Sequence, residues 1–132
     1  MKVEKDFLGD DARLLIRAYG PGEVRVNNDL ITQSFILTPF RLDTGWRPEQ
    51  FNELQPGDFD AMVAERPEVI LLGTGARTRI PRQEILAAVL GQGIGLEFMD
   101  TGAACRTFNV LVAEERSVMA GLLMIEDEGE PD

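Results

Sequence analysis

From Gly73 to Arg82 the chain reads GTGARTRIPR, a glycine-rich turn with three arginines in a protein that has 23 acidic residues against 13 basic ones. Backbone amides exposed at such a turn, close to a helix N-terminus, attract negative charge. Arg77, Arg79 and Arg82 would add to that field, so an anion is the natural ligand of the turn; the plain alternative is a tight turn with solvated arginines. Asp100 and Thr101 follow an apolar stretch. There a carboxylate can serve as a general base or simply cap a helix by accepting a backbone N–H. Cys105 stands near the first turn of the same helix, as a thiol activated by the helix dipole or as a small core residue. Asn109 is one helical turn further on the same face, placed to contact a ligand or to pin a neighbouring segment. Trp46, in a turn-rich stretch, either covers a pocket or caps the core.

These residues need elements to hold them. Val69-Ile70-Leu71-Leu72 is an unbroken apolar run closed by Gly73, which predicts a strand covered on both faces. Pro81 opens a helical pattern with Ile85, Leu86, Val89 and Leu90 at spacings of three and four, and Gly91 and Gly93 end it. Leu96 to Met99 predicts the next strand, and Asp100 or Thr101 caps a long helix with Ala104, Phe108, Leu111 and Val112 on one face. Strand, helix and strand make a parallel crossover, and open sheets of this kind place ligands at the carboxyl ends of their strands. That edge would collect Thr74, Gly75, Arg77, Thr78 and Arg79 from one loop and Asp100, Thr101 and Gly102 from the other.

Upstream, Leu14 to Tyr19, Val24 to Val26, Leu30 to Thr38 and Phe40 to Leu42 read as strands of an antiparallel meander, separated by Gly20-Pro21-Gly22 and Asn27-Asn28-Asp29. Asp58 or Asp60 caps a short helix that Pro67 stops, and Ser117 to Ile125 is a final apolar strand. The fold expected is a single mixed α/β domain: an N-terminal meander, then a βαβαβ-like half whose helices pack on a mixed sheet. Residues 1–11 are read as a flexible arm and 126–132 as an acidic, solvated tail.

The 132 residues fit one domain, and 44% hydrophobic residues suit a globular protein. A formal charge of −10 argues against nucleic acid or an anionic membrane as the main partner. No histidine and one cysteine rule out the usual zinc ligand sets and histidine-based triads; carboxylate metal sites survive that exclusion, but no metal and no cofactor is assigned. No run approaches the ~20 apolar residues of a membrane span, and no signal segment opens the chain, so a cytoplasmic location is expected.

The combination LLGTG, a following arginine and proline, a strand ending in MDT, and AACRTFNVLVAEER before a small-residue apolar strand resembles a family of small α/β domains of unknown function. Its mitochondrial members include the assembly factor 3 protein of respiratory complex I. The resemblance is specific over Val69 to Met124. It implies a compact β-rich α/β domain acting through protein partners, and it brings no catalytic mechanism. Phe108 stands where the family pattern suggests tyrosine, which removes any chemistry needing a phenol there. With no catalytic constellation in the sequence, the leading expectation is a non-enzymatic binding or assembly-accessory protein with a protein partner or a second copy of itself. The alternative is a small anionic ligand, and even an enzyme, at the 73–79 and 100–102 loops, with Cys105, Asn109 and Trp46 as a secondary pocket.

Overall fold

The apolar run from Val69 is a strand buried along its whole length, and the fold is layered on both of its faces. The computed structural model describes residues 2–4 and 13–128. In chain order the first strands are β1 (Lys2–Glu4), β2 (Ile16–Gly20), β3 (Glu23–Val26), β4 (Asp29–Ile31), β5 (Phe35–Leu37) and β6 (Arg41–Thr44). Two 3-10 turns, Phe51–Glu53 and Pro56–Phe59, lead into α1 (Asp60–Ala64). There follow β7 (Val69–Gly73), α2 (Gln83–Leu90), β8 (Gly95–Met99), α3 (Thr101–Ala113) and β9 (Val118–Leu122).

A six-stranded sheet runs in the order β1-β6-β5-β9-β7-β8, and β2-β3-β4 form a second sheet. β7 pairs in parallel with both β8 and β9, while β5, β6 and β1 are antiparallel additions. Side chains alternate across β7: Val69 and Leu71 enter one core, Ile70 and Leu72 the other. The first core lies under α3 and the small sheet, where Phe108 and Cys105 meet Ile16, Val24 and Val26. The second lies under α1 and α2, where Met62, Ile85 and Val89 meet Phe59 and Trp46.

The meander is the main departure from the sequence reading. The single strand expected from Leu30 to Thr38 is two strands in different sheets. The chain crosses between them at Thr32-Gln33-Ser34, where buried Ser34 reaches the carbonyls of Trp46 and Pro48. Phe40 is not in a strand but in the turn joining β5 and β6, and it is half exposed. Pro81 lies just before α2, whose N-cap is Arg82. Of the expected N-terminal arm, Lys2–Glu4 pair with β6; residues 5–11 lie outside the described residues.

Candidate functional site

At the carboxyl ends of β7 and β8 the two loops named from sequence do meet. Thr74 N–H donates to the Met99 carbonyl at 2.8 Å, and Thr101 N–H donates to the Gly75 carbonyl at 2.8 Å. Gly75 N–H donates to Thr101 Oγ1 at 2.9 Å, and that hydroxyl donates to the Leu123 carbonyl at 2.7 Å. Thr74 Oγ1 donates to the Arg77 carbonyl at 2.6 Å and accepts from Arg79 N–H at 3.1 Å. Thr78 Oγ1 accepts from Asp100 N–H at 3.1 Å. Asp100 is the N-cap of α3, accepting from Ala103 N–H at 2.8 Å. Thr74 and Thr101 are fully buried. Their hydroxyls hold the two loops together and are engaged within the protein.

Two further donors of the loop converge on a carboxylate of the same chain. Ala76 N–H donates to Glu126 Oε1 at 2.9 Å, and Arg79 Nη2 donates to Glu126 Oε2 at 2.7 Å. Gly75 makes this possible: its φ is +104°, and a Cβ there would lie 1.9 Å from Glu126 Oε1. Partial burial by itself would raise the Glu126 carboxyl, but the Ala76 amide and the Arg79 guanidinium outweigh it and hold the group below the usual carboxylate range. Arg77 lies 3.6 Å from Glu128. The tail expected to be solvated thus returns to the arginine loop at least as far as Glu128; residues 129–132 lie outside the described residues.

Of the expected secondary pocket, Cys105 and Asn109 line a recess of about 100 Å³ beside Tyr19 and Arg106, and Trp46 is not part of it. Trp46 belongs to the second core, packed edge-on to Phe59 at 5.8 Å and donating Nε1–H to the Asp58 carbonyl at 3.0 Å. Its ring lies flush against Gly121, where an added Cβ would come within 2.7 Å. Cys105 and Asn109 lie across the sheet from it. Cys105 is buried, and that burial pushes its thiol up to about 12, with Arg106 lowering it and Asp100 raising it to smaller extents. Asn109 accepts from Ile16 N–H at 2.9 Å and donates to the Ile16 carbonyl at 2.8 Å, so its amide satisfies the open edge of β2 as another strand would.

The opposite end of the sheet carries a site that the sequence reading missed. At the N-terminal ends of β7 and β9 the described residues leave a cleft of about 480 Å³. Val112, Val118 and Met119 form an apolar floor, and Arg13, Phe40, Arg41 and Arg116 stand in the walls. The Arg13 guanidinium lies 5.8 Å from the centre of the Phe40 ring. Arg13 pairs with Glu115 at 3.5 Å, Arg116 with Glu68 at 3.2 Å, and Arg41 with Glu65. A half-exposed aromatic, an apolar floor and several guanidiniums can hold an apolar side chain next to a carboxylate. The one sequence signal was Thr38-Pro39-Phe40, an aromatic set just after a strand-breaking proline. Among the described residues, no cluster of three histidine, cysteine or acidic side chains is arranged to hold a metal. No helix among them is long and apolar enough to cross a membrane.

Comparison with known proteins agrees with this architecture. The NMR structure of a Xanthomonas campestris protein superposes with a TM-score of 0.79 at 41% identity, covering 93% of each chain. The NADH dehydrogenase (ubiquinone) 1 alpha subcomplex assembly factor 3 of Danio rerio is 32% identical over 115 residues, 85% of this chain and 65% of that protein. The 13 kDa major membrane protein of Francisella tularensis is 34% identical over 70 residues, 53% of this chain and 57% of that one. The chain therefore spans about 57–65% of the length of these two relatives. The family described as "Protein of unknown function (DUF498/DUF598)" matches residues 16–123, from β2 through β9, and the chain belongs to it.

Proposed function

We propose that this chain is a non-enzymatic binding protein with an assembly-accessory role, engaging a protein partner through the cleft beside Phe40. The observation that carries the reading is the contrast in hydrogen bonding at the two ends of the sheet. The Thr74, Gly75, Ala76 and Arg79 donors of the glycine loop are engaged within the protein, chiefly with Met99, Thr101 and Glu126, whereas the cleft offers a half-exposed aromatic and an apolar floor. The assembly-factor name of the Danio rerio relative supports the same reading. The partner is a polypeptide segment presenting an apolar side chain flanked by a carboxylate. A second copy of the chain is the competing occupant.

Affinity capture with the full chain tests this. A stoichiometric partner retained by the wild type and lost on Phe40→Ala and on Arg116→Glu is the expected result. Repeated recovery of the free chain alone, or a partner indifferent to both changes, overturns the reading. Light scattering on the same samples separates a second copy from a different protein. Cytoplasmic residence goes with this proposal, because a net charge of −10 is repelled by an anionic membrane surface. Recovery in the membrane fraction after a high-salt wash would refute it.

The alternative function, a small-molecule site on the 73–79 and 100–102 loops, requires an anion that displaces Glu126, since Ala76 and Arg79 already hold that carboxylate.

A further inference from the structure

We infer that Gly75, Ala76 and Arg79 form a carboxylate-binding site that Glu126 fills as an internal ligand, and that a small monocarboxylic acid binds there when Glu126 is withdrawn. This site lies at the other end of the sheet from the partner cleft, so either can fail without the other.

The cradle is held by bonds that do not involve Glu126. Arg79 Nη1 donates to the Thr74 carbonyl at 2.6 Å, and its backbone N–H donates to Thr74 Oγ1 at 3.1 Å, so the guanidinium is fixed by the turn itself. The turn is in turn fixed by Thr101 through the Gly75 N–H and carbonyl. Removing the Glu126 side chain leaves every one of these bonds in place. What it frees is one backbone N–H and one face of a guanidinium, side by side, which is the donor pattern that a carboxylate accepts. Gly75 keeps the approach clear, because any side chain there would occupy the carboxylate's own position.

Glu126 is held in a way that permits exchange. Just before Glu126 is a bridge between Pro21 and Ile125, with Gly22 N–H donating to the Ile125 carbonyl at 2.8 Å; the Glu126 side chain is 42% exposed. Beside the cradle is a recess of about 210 Å³, lined by Phe51 and Leu123 on its apolar side and by Arg79 and Glu49 among its polar residues. That volume suits the body of a small acid. Glu49 disfavours a second negative charge on the ligand, which selects a monocarboxylate over a phosphate or a dicarboxylate.

Benzoate is the probe. Titrated into the isotopically labelled full chain at constant ionic strength, with chloride as the reference salt, it should move the Ala76 and Arg79 amide signals saturably in Glu126→Ala. Affinity should be at least about tenfold higher than for the wild type, since an internal competitor that leaves the site free a tenth of the time lowers apparent affinity by that factor. Adding Arg79→Gln to Glu126→Ala should abolish the response. Equal binding to wild type and Glu126→Ala, no saturable shift in a well-dispersed Glu126→Ala spectrum, or binding that survives Arg79→Gln would each overturn the inference. If Glu126→Ala does not fold, Glu126→Ser shortens the side chain so that it cannot reach Arg79 while keeping a polar group, and the same titration decides.

Discussion

The two ends of the parallel strands β7 and β9 are built from similar materials, arginines, acids and a tight turn, yet they use them in opposite ways. At the carboxyl end, Thr74, Thr101, Ala76 and Arg79 are tied to one another and to Glu126, and the hydroxyls that tie them are fully buried. At the amino end, Arg13, Arg41 and Arg116 line a cleft and each pairs with an acid, and Phe40 stands in its wall half exposed. The threonine hydroxyls at the first end are structural because they are buried and must be satisfied there, while the Arg79–Glu126 pair beside them is partly exposed. The charged groups at the second end stay in contact with water, where ion pairs contribute little to stability and remain free to exchange partners. A loop rich in glycine and arginine therefore looks more like a binding site in sequence than the cleft does, although its donors are already in use.

The sharpest break of this contrast is at the buried threonines. Thr101→Val strips both the donor to Leu123 and the acceptor for Gly75. Each orphaned buried group costs about 1–3 kcal/mol, so a loss of roughly 2 kcal/mol or more is expected in urea unfolding. Thr38→Val at the amino end also removes an acceptor, from Phe40 and Arg41 N–H. Thr38 is buried too, but these bonds are only partly buried, in a turn whose Phe40 is exposed, so water can replace the hydroxyl in part and the loss should be smaller. Equal losses would mean that the two ends do not differ in the way described. Next in size is Gly75→Ala, where a φ of +104° and a Cβ 1.9 Å from Glu126 combine. A strained backbone costs of the order of 1–3 kcal/mol. Adding Glu126→Ala should relieve the clash but not the strain, so the double variant should lose less than the sum of the two single changes. Strict additivity would show that Glu126 does not sit against Gly75.

Much of the carboxyl end was legible because its signals are local. The apolar run from Val69, the proline before α2 and the aspartate at the start of α3 each act within a few residues. What sequence could not show was pairing across long separations: Glu126 meets Ala76 fifty residues away, and an acidic tail reads as solvated until its partner is known. The meander was misjudged for a related reason. Thr32-Gln33-Ser34 contains neither glycine nor proline, and only the buried contacts of Ser34 with Trp46 and Pro48 reveal that the chain changes sheets there. The cleft gathers Arg13, Phe40, Arg41 and Arg116 from three distant stretches, so no spacing announces it.

Acid sharpens the comparison further. Glu126 and Asp58 both titrate below the usual carboxylate range, Glu126 against its own desolvation and Asp58 chiefly through its hydrogen bonds from Arg47. A carboxyl depressed in the folded state adds stability at pH values above its unfolded pKa of about 4, and that stability is lost as pH falls through the folded value. Glu126→Gln should therefore flatten the loss of stability on acidification below about pH 4, by about 0.2–1 kcal/mol as for other partly exposed pairs. Asp58→Asn should do the same independently, because Asp58 binds Arg47 through both oxygens at 2.7 Å in a different part of the fold. An acid limb unchanged in Glu126→Gln would place the Glu126 carboxyl outside the cradle.

The smallest effect on stability is expected where the functional effect is largest. Phe40 is 51% exposed and its ring touches the Arg13 guanidinium, a contact worth about 0.5–1 kcal/mol when open to water. Phe40→Ser exchanges that contact for a hydroxyl at a site that water already reaches, so the unfolding free energy in urea should fall by no more than about 1 kcal/mol. Were Phe40 instead part of the folded core, its truncation would cost several times that, as the loss of a buried aromatic does. A near-neutral Phe40→Ser that abolishes partner capture would separate recognition from folding at this end of the sheet. The carboxyl end allows no such separation for Thr101, whose one hydroxyl holds both the Gly75 turn and the chain leading to Glu126.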